Sequence, residues 1–432
     1  MTAIITQDMR IRNSTNFIST VGTDSVYFFI GRSQPWPNSD TDVATPVDSV
    51  SDQYGAQQKM VAMKRIAQSD VTHALTRYNW ISGNTYSEYD DQDSALTTKQ
   101  FYVITDDLNI YKCLKAGSGP SVVKPTGTNV YANAEAADGY IWKYMYTLSG
   151  TQASKFLTNS FIPVVTLGSD DGSLQWDVQA AASVGAIHRI RVTNGGTGYT
   201  SAPTVAINGD GAGATATATV VAGVVTEITM NTIGNNYSQA VVTFSGGGGT
   251  DAAARAVISP VGGHGADPVT ELGGYYTMLN VQLDGEEGSG DFPVDNDYRQ
   301  LGMVINPYEY GTTNVATATT LIATEQLTYT GLSGGSFAVD DLIVGQTSGT
   351  QAYIDSIDTV TGTIRFHQET SSGFGLFQVG ESIEVGAVSA TVDTLVDPEV
   401  EKFSGEVLYI ENRSPVTRAA DQIEDVKLVL EF

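Results

Sequence analysis

The last residues of the chain alternate between two kinds of side chain. Every second position is apolar: Val426, Leu428, Leu430 and Phe432 are predicted to point one way, and Lys427, Val429 and Glu431 the other. A period of two residues is typical of a β-strand with one buried face. We therefore expect the C-terminus to be tied into a sheet, whereas most termini are loosely held. A second strand is predicted at 407–410, followed by a polar turn at 411–415 that contains a proline.

Composition favours a β-rich protein with more than one core. The 432 residues exceed what a single hydrophobic core usually serves, so two or more domains are expected. Hydrophobic residues make up 41% of the chain, which argues against global disorder. Charged residues make up only 16%, whereas glycine occurs 45 times, and this mixture suits strands joined by tight turns.

The strong negative charge disfavours several classes of partner. Acidic residues number 48 against 22 lysines and arginines, a formal net charge of −26. A field of this sign repels phosphate backbones and anionic membrane surfaces, so we predict no nucleic-acid or membrane partner. The N-terminal residues lack the apolar segment of a signal peptide, and no apolar run has the length of a bilayer span. The chain is therefore expected in a cytosol or in a particle assembled there.

The first 184 residues predict strands with a few helices between them. The predicted elements are a helix at 9–21, a strand at 25–30, a helix at 54–68, a hairpin at 101–114 and a strand at 140–146. The helix at 54–68 is expected because Met60, Met63 and Ile66 have near-helical spacing in a stretch without proline.

Residues 185–261 contain an internal repeat. The segment 187–192 is matched by 225–230, and 205–207 is matched by 242–244, with Gly/Asn turns in each copy. A single copy cannot bury its apolar face alone. We therefore expect two related β-units that pack on each other as an inserted domain.

Residues 312–400 contain a second doubled motif. The spacing of Phe337 and Ile343 recurs at Phe377 and Ile383, and each copy is followed by a Gly/Ser turn and a β-rich stretch. This pattern favours a small inserted barrel or sandwich made of two similar halves.

Four sequence blocks resemble one family of virus structural proteins. They are Phe-Ile-Gly-Arg-Ser-Gln-Pro-Trp at 29–36, Asp-Gly-Tyr-Ile-Trp at 138–142, Tyr-Arg-Gln-Leu followed by Asn-Pro at 298–307, and Gly-Glu-Val-Leu-Tyr-Ile-Glu-Asn-Arg-Ser-Pro at 405–415, after which an Asp-Gln step and the final strand follow. In this order they are similar to the baseplate wedge subunit known as gene product eight in T4-type contractile-tailed bacteriophages.

The resemblance implies a mainly β fold, with a β-sandwich core and a few short helices. The core would consist of 1–184, 262–311 and 401–432, and the two repeat regions at 185–261 and 312–400 would be inserted small β-domains. Insertions enter surface loops, so these domains are expected to project outward.

The resemblance also implies a function without catalysis. The expected role is a structural subunit of a tail baseplate wedge, a homodimer held by other wedge proteins, which takes part in baseplate assembly and rearrangement. Its location would be the virion tail baseplate, and the host cytoplasm during assembly. No enzyme activity, cofactor or small-molecule substrate is expected. The alternative is a carbohydrate-binding adhesin or tail-fibre-like receptor-binding protein, motivated by the repeats. A polysaccharide-degrading enzyme is a third hypothesis.

The residue types that form catalytic and metal sites in other proteins show no recognisable motif in this sequence. Cys113 is the one cysteine, which excludes an internal disulfide and a cysteine metal cluster, and the four histidines lack metal-ligand spacing. Acidic pairs such as Asp90-Asp91 are interpreted as solvated turns. Gly/Asp segments at 208–211 and 284–291 could supply oxygen ligands to calcium, although turn chemistry explains them as well.

Aromatic and cationic residues give the candidate structural or interface positions. Tyr140, Trp142, Tyr144 and Tyr146 alternate along one strand and could form a sugar-binding platform, but core or subunit packing explains such a row better. Arg32 and Arg413 stand out in so acidic a chain and are expected to make charge-assisted hydrogen bonds. The candidates are Arg32, Trp36, Tyr140, Trp142, Tyr144, Asn412, Arg413 and Phe432.

Overall fold

The computed structural model describes residues 4–283, 292, 297–418 and 423–432. The fold is mainly β, as predicted, with 43% strand and 12% helix. The helices are α1 (Gln7–Thr23), α2 (Val50–Gln58), α3 (Gly150–Phe156), α4 (Leu174–Ala180) and α5 (Pro268–Leu272). Among the helices of the described residues, none combines the length and apolar character that crossing a lipid bilayer requires.

The strands of the first half are β1 (Val26–Gly31), β2 (Met60–Arg65), β3 (Val71–Thr76), β4 (Tyr102–Ile104), β5 (Asn109–Lys115), β6 (Ile141–Thr147), β7 (Phe161–Val164), β8 (Ile187–Thr197), β9 (Thr204–Gly209), β10 (Ala212–Val221), β11 (Val224–Asn235) and β12 (Ala240–Ser245). Those of the second half are β13 (Thr250–Ile258), β14 (Tyr276–Leu283), β15 (Asp297–Ile305), β16 (Thr320–Ile322), β17 (Glu325–Ser333), β18 (Leu342–Gly345), β19 (Gln351–Asp358), β20 (Thr363–His367), β21 (Ser382–Val385), β22 (Val388–Val396), β23 (Glu406–Thr417) and β24 (Glu424–Glu431).

The chain folds into two units, each made of segments that are separate in sequence. The first unit comprises residues 1–15, 72–278 and 429–432, and the second comprises residues 16–71 and 279–428. Each unit therefore includes residues from early and late parts of the chain.

A five-stranded sheet with the order β16-β2-β1-β15-β23 forms the centre of the second unit. Phe29 of β1 lies opposite Gly302 of β15, and Gly302 lies opposite Ile410 of β23, in antiparallel register. A Cβ on Gly302 would lie 2.2 Å from the Phe29 ring, so only glycine leaves room for that ring. Segments far apart in sequence thus complete one another in a single sheet.

The second unit also contains a closed barrel with the order β17-β20-β19-β18-β21-β22. Phe337, Ile343, Phe377 and Ile383, the repeated residues of the sequence, all pack in its core. The equivalent strands β18 and β21 pair directly, with Gly345 opposite Ile383. Of the predicted barrel or sandwich, the structure has the barrel.

The repeat in the first unit forms two sheets, β11-β10-β9-β12 and β13-β8, around a shared core. The first copy supplies β8 to β10 and the second supplies β11 to β13. Strands β8, β9 and β10 pair with β13, β12 and β11 of the other copy, whereas pairing inside one copy is limited, among the described residues, to Thr204 with Thr217. The copies pack on each other as predicted, and they do so by sharing both sheets.

The predicted helix at 54–68 is wrong in its second half. Helix α2 ends at Gln58, and β2 begins at Met60 between β1 and β16. Met60, Val61, Ala62 and Met63 are all buried, as expected for a central strand covered on both faces, whose apolar run lacks a period of two. Hydrogen bonds to two neighbouring strands outweigh the weak helical preference of the sequence.

The predicted turn at 411–415 is also wrong, because β23 continues through Pro415 to Thr417. Tyr298 lies opposite Val416 and Gln300 opposite Asn412, so three residues of β23 face one residue of β15. This bulge lies in an edge strand, where a proline without an N–H group is tolerated.

The C-terminal strand is present as β24, but its two faces are covered alike. Val426 to Leu430 are all half-buried, and so is Phe432. Val429, predicted to lie on the opposite face from the core residues, packs against Phe156 and Met278 in the first unit. The apolar cluster of Phe156 and Met278 therefore covers the face that the alternation assigned to solvent.

The acidic pair Asp90-Asp91, predicted to be solvated, is instead part of an ion-pair cluster in the first unit. Asp90 lies 2.5 Å from Arg191 Nη1 and 2.6 Å from Arg255 Nη2, and Asp91 lies 2.8 Å from Arg255 Nη1. Burial raises the pKa of Asp90, whereas hydrogen bonds from the Gln92 N–H and from both arginines lower it. The hydrogen bonds have the larger combined effect, so the pKa of Asp90 lies below its ordinary value. These pairs hold β8 and β13 against the loop that carries the two aspartates.

A buried polar cluster lies in the first unit, on β5, β6 and α5. Lys112 and Lys143 are opposite each other on β5 and β6, and Lys112 Nζ lies 2.9 Å from Glu271 Oε2. Glu271 Oε1 accepts hydrogen bonds from the Gly265 and Asp267 N–H groups at 2.7 and 3.2 Å. Burial lowers the pKa of Lys143 to about 8. The carboxylate of Glu271 is thus the anion that compensates two buried lysines.

We expect Lys112→Met to lower the free energy of unfolding by about 3 kcal/mol, because it leaves the buried Glu271 carboxylate without its closest cation. Lys112→Met combined with Glu271→Gln should recover part of this loss, since glutamine keeps an oxygen for the two N–H groups. Urea denaturation measures both. Glu431→Gln, at an exposed pair with Arg10, is the control and should cost at most about 1 kcal/mol. Equal effects at the two pairs would contradict the prediction.

The buried histidine of the same cluster predicts loss of stability in acid. Burial, and then the charges of Lys112, His188 and Lys143, lower the pKa of His264 far below its ordinary value, and burial lowers the pKa of His188 to about 4. The groups that face His264 are Lys112 of β5, Lys143 of β6, His188 of β8, Glu271 of α5 and Tyr89. Its Nδ1 has no hydrogen-bond partner among the described residues.

The free energy of unfolding should therefore fall as the pH is lowered from about 6.5 towards 4, by up to about 1.4 kcal/mol per pH unit for each histidine, because the unfolded chain binds protons that the folded chain excludes. Urea denaturation at a series of pH values measures the slope. His264→Gln should make the slope shallower in this window. An unchanged slope would show that His264 is not one of the responsible groups.

Candidate interaction site around Trp36

In the second unit, backbone contacts hold the start of the loop that follows β1 in one conformation. A Cβ on Gly31 would lie 2.7 Å from the Lys59 carbonyl oxygen, so this close approach requires glycine. Arg32 follows with a φ of 58°, in the left-handed region. Its N–H donates to the Lys59 carbonyl at 2.9 Å, and its own carbonyl accepts from the Arg299 N–H at 3.0 Å. The backbone at Arg32 is therefore held from both sides, and the loop direction is set.

Trp36 anchors this loop to the bulge of β23. Its side chain is only 8% exposed, and its Nε1 donates a hydrogen bond to the Arg413 carbonyl at 2.9 Å. The Arg32 guanidinium lies 4.0 Å from the centre of the indole ring, within cation–π distance, and donates to the Pro35 carbonyl at 3.1 Å. Arg32 and Trp36 thus form one packed unit.

Arg299 is the residue of this site that the sequence did not single out. It is 4% exposed, and its guanidinium donates to Asp40 through Nε at 2.9 Å and Nη2 at 3.0 Å, and through Nη1 to the Ser33 carbonyl. Hydrogen bonds from Arg299 and from the Trp36 N–H lower the pKa of Asp40. The available signal was an arginine inside an apolar strand of an acidic chain, which implies a paired charge.

Asn412 and Arg413 contribute in different ways. Asn412 Nδ2 donates to the Ala44 carbonyl at 2.8 Å, and its Oδ1 accepts from Gln300 Nε2 at 2.7 Å, which connects the loop to β15 and β23. Arg413 contributes its main-chain carbonyl to Trp36, whereas its side chain has no hydrogen bond or ion pair with the described residues. Arg32, Trp36, Asn412 and Arg413 are therefore brought together, although they are separated in sequence.

Arg32, Trp36 and Asn412 border a cleft of about 590 Å³, called here the Trp36 cleft. Its other walls are helix α2 and residues 369–371 of the segment after β20. Helix α2 begins after Ser49, whose Oγ accepts from the Asp52 N–H at 3.1 Å and caps the helix. Lys59 pairs with Glu369 at 2.8 Å. The cleft is therefore lined mainly by polar groups on well-anchored backbone.

Exposed apolar side chains continue the surface beyond the Trp36 cleft. Tyr54 of α2 is 49% exposed and stands edge-on to Phe403 at 5.4 Å, while Leu408 of β23 is 40% exposed. Pro46 and Ile410 line both the Trp36 cleft and a neighbouring cleft of about 250 Å³. Contiguous exposed apolar surface of this kind marks interaction sites more often than chance would.

The remaining candidates lie elsewhere. Tyr140, Trp142 and Tyr144 are buried in the first unit and share a core with Tyr111 and Cys113, where the Tyr140 and Trp142 rings stack at 5.7 Å. Tyr146 is buried in a different cluster, with Met145. A sugar-binding platform on this strand would need exposed rings, so core packing is the role that these aromatics have. Phe432 is half-buried just beyond β24.

No group of three or more metal-ligating side chains occurs in the part of the chain that the structure describes. In the Gly/Asp segment at 208–211, Asp210 accepts hydrogen bonds from the Ser238 hydroxyl and from the Ser238 and Gln239 N–H groups, the last two at 2.9 and 3.1 Å. These hydrogen bonds, that of the Ser238 hydroxyl first, lower the pKa of Asp210 to about 2. Its carboxylate thus holds a turn. The segment at 284–291 lies outside the described residues. Burial raises the pKa of the Cys113 thiol, as expected for a core residue and not for a nucleophile.

No protein-family model matches the chain, and no curated protein matches it either. A function is therefore inferred from the residues themselves and from their positions in the fold.

Arg299→Lys should lower the free energy of unfolding by about 2 kcal/mol, because lysine cannot reproduce the paired hydrogen bonds to Asp40 together with the bond to Ser33. Arg413→Lys is the matched control on the neighbouring strand and should stay within about 0.5 kcal/mol, since only its backbone contributes to the site. Urea denaturation followed by circular dichroism measures both. If the two variants lost the same stability, Arg299 would not be the centre of the site.

Proposed function

We propose that this protein is a structural subunit of the baseplate wedge of a contractile phage tail. One observation carries the proposal: three of the four sequence blocks that resemble the baseplate wedge family meet in one body. The blocks at 29–36, 298–307 and 405–415 supply β1, β15 and β23, which lie side by side in the sheet of the second unit. The fourth block, at 138–142, supplies buried residues of the first unit.

The blocks fit one another at the level of single residues, which is what a shared framework requires. Gly302 makes room for Phe29, Trp36 bonds to Arg413, and Gln300 bonds to Asn412. These contacts join segments separated by more than 100 residues, so they stiffen the unit against local opening. The resemblance in sequence and the contacts in space therefore support the same role.

The mechanism of such a subunit is interfacial. Rigid sheets would hold neighbouring proteins in register, and contacts between subunits would change when the baseplate rearranges. The partners would be a second copy of the chain and other wedge proteins, without nucleic acid, membrane or small-molecule substrate. After assembly in the host cytoplasm the subunit would reside in the virion baseplate.

A second candidate function, a receptor-binding or adhesin role, is favoured by one feature of the barrel. Phe374, Leu376 and Val379 are exposed in the segment that leads into β21, and exposed apolar residues next to one another often mark a contact surface. A glycan array probed with the full chain, and with Phe374→Ser as its control, tests this candidate. Specific binding that the substitution removes would favour it over the assembly role.

The assembly role predicts a dimer and a defined place in the particle. Sedimentation velocity of the purified chain should give twice the chain mass of 45.8 kDa. Antibody labelling of purified virions in electron micrographs should locate the protein at the baseplate end of the tail. A strict monomer that is absent from the particle would overturn the proposal.

A further inference from the structure

The Trp36 cleft contains a cation that has no carboxylate partner. Arg32 lines the cleft, and among the described residues no Asp or Glu oxygen lies within 4 Å of its guanidinium. The other charges of the cleft are satisfied: Lys59 pairs with Glu369, and Asp52 accepts from the Val47 N–H at 2.9 Å and from Ser49 Oγ at 3.2 Å. In a chain with 48 acidic residues, Arg32 thus forms no ion pair of its own, although Glu369 and Asp40 lie near enough for their charges to act on it.

The guanidinium of Arg32 is positioned before any ligand arrives. It is stacked over Trp36 and tied by Nη2 to the Pro35 carbonyl, while its Nε has no hydrogen-bond partner among the described residues. A planar guanidinium carries five N–H donors in a geometry that matches a carboxylate. Because stacking has already restricted its rotamers, a carboxylate would bind with little further loss of side-chain entropy.

Gln300 supplies a second, independent polar group. It lines the same cleft and is 8% exposed, and its Nε2 is used by Asn412 while its Oε1 has no partner among the described residues. A buried carbonyl oxygen without a donor is costly, so a ligand that offers an N–H group gains from it once the Gln300 side chain turns its covered Oε1 towards the cleft. An extended peptide offers such a group from its backbone.

The apolar side chains next to the cleft indicate which other groups a ligand of the cleft should carry. Tyr54 and Leu408 lie exposed beside it, and Tyr, Trp and Arg are the residue types that most often dominate protein–protein binding energy. A nucleic acid would bring a large like charge to a chain of net charge −26. A local acidic side chain in an otherwise apolar segment avoids most of that repulsion.

We propose that the Trp36 cleft binds a segment of a partner protein that places an Asp or Glu carboxylate on Arg32 and apolar side chains on Tyr54 and Leu408. The inference deepens the assembly role proposed above and rests on it for the identity of the partner as a protein. It defines the partner by chemistry: one carboxylate flanked by apolar residues in an extended segment.

A yeast-displayed library of random 12-residue peptides, selected against the full chain, tests the proposal. Selected peptides should share an acidic residue next to leucine, isoleucine or phenylalanine. Arg32→Gln should weaken binding of the best peptide about tenfold or more, as expected for a lost charge-assisted hydrogen bond. Arg12→Gln, which removes the same charge from an exposed position of α1, should leave the affinity unchanged.

A double-mutant cycle separates direct contact from a disturbed fold. Changing the acidic residue of the peptide to its amide should weaken binding to the wild-type chain as much as Arg32→Gln does, and should have little further effect on binding to that variant. Tyr54→Ser, which lies outside the Arg32–Trp36 stack, should also weaken binding. Thermal unfolding of each variant checks that it folds.

Several outcomes would overturn the inference. They are selection of no peptide, selection of peptides without an acidic residue, equal affinity for Arg32→Gln and the wild type, and self-association that Tyr54→Ser abolishes, which would make a second copy the occupant. Acidic peptides that depend on Arg32, from a chain absent from the baseplate, would instead count against the assembly role alone.

Discussion

The second unit depends on β15 being hydrogen-bonded along both of its edges. One edge pairs with β1 from the start of the chain and the other with β23 from near its end. Arg299 extends this link beyond the sheet, because its guanidinium reaches Asp40 and Ser33 in the loop after β1. Without β15, the residues around Trp36 would have no common support, since they come from three segments that no short loop connects.

The bulge in β23 makes part of this strand an anchor for the loop that carries Trp36. A regular strand would continue the ladder at 413–415, whereas the bulge leaves the Arg413 carbonyl available to Trp36. The edge position of β23 makes this possible, because no further strand of its sheet needs those backbone groups. Pro415, which the sequence suggested as the end of the strand, is compatible with this irregular pairing.

Much of the fold could be predicted because its determinants are local. The two apolar runs on either side of a polar turn at 101–114 and the repeated Phe and Ile spacing in the barrel depend on neighbouring residues, and both correspond to observed strands and cores. The prediction of a helix at 54–68 was wrong in its second half, because a central strand is defined by the strands on either side of it. The site could be predicted from the sequence only in part. Arg299 and Asp40 pair with each other across 259 residues, and such a pair leaves no local pattern in the sequence. For the same reason the sequence around Asp90 did not indicate that the distant Arg191 and Arg255 would form ion pairs with it.

The interleaved repeat has a consequence for the order in which the chain can acquire structure during synthesis. Strand β8 at Ile187–Thr197 has its partner in β13 at Thr250–Ile258, which leaves the ribosome last among the six strands of the module. Strand β8 must wait, with its apolar residues uncovered, until more than 50 further residues have been translated. At typical elongation rates of about 5 to 20 residues per second this interval lasts about 3 to 10 seconds, so β8 is translated well before it can pair.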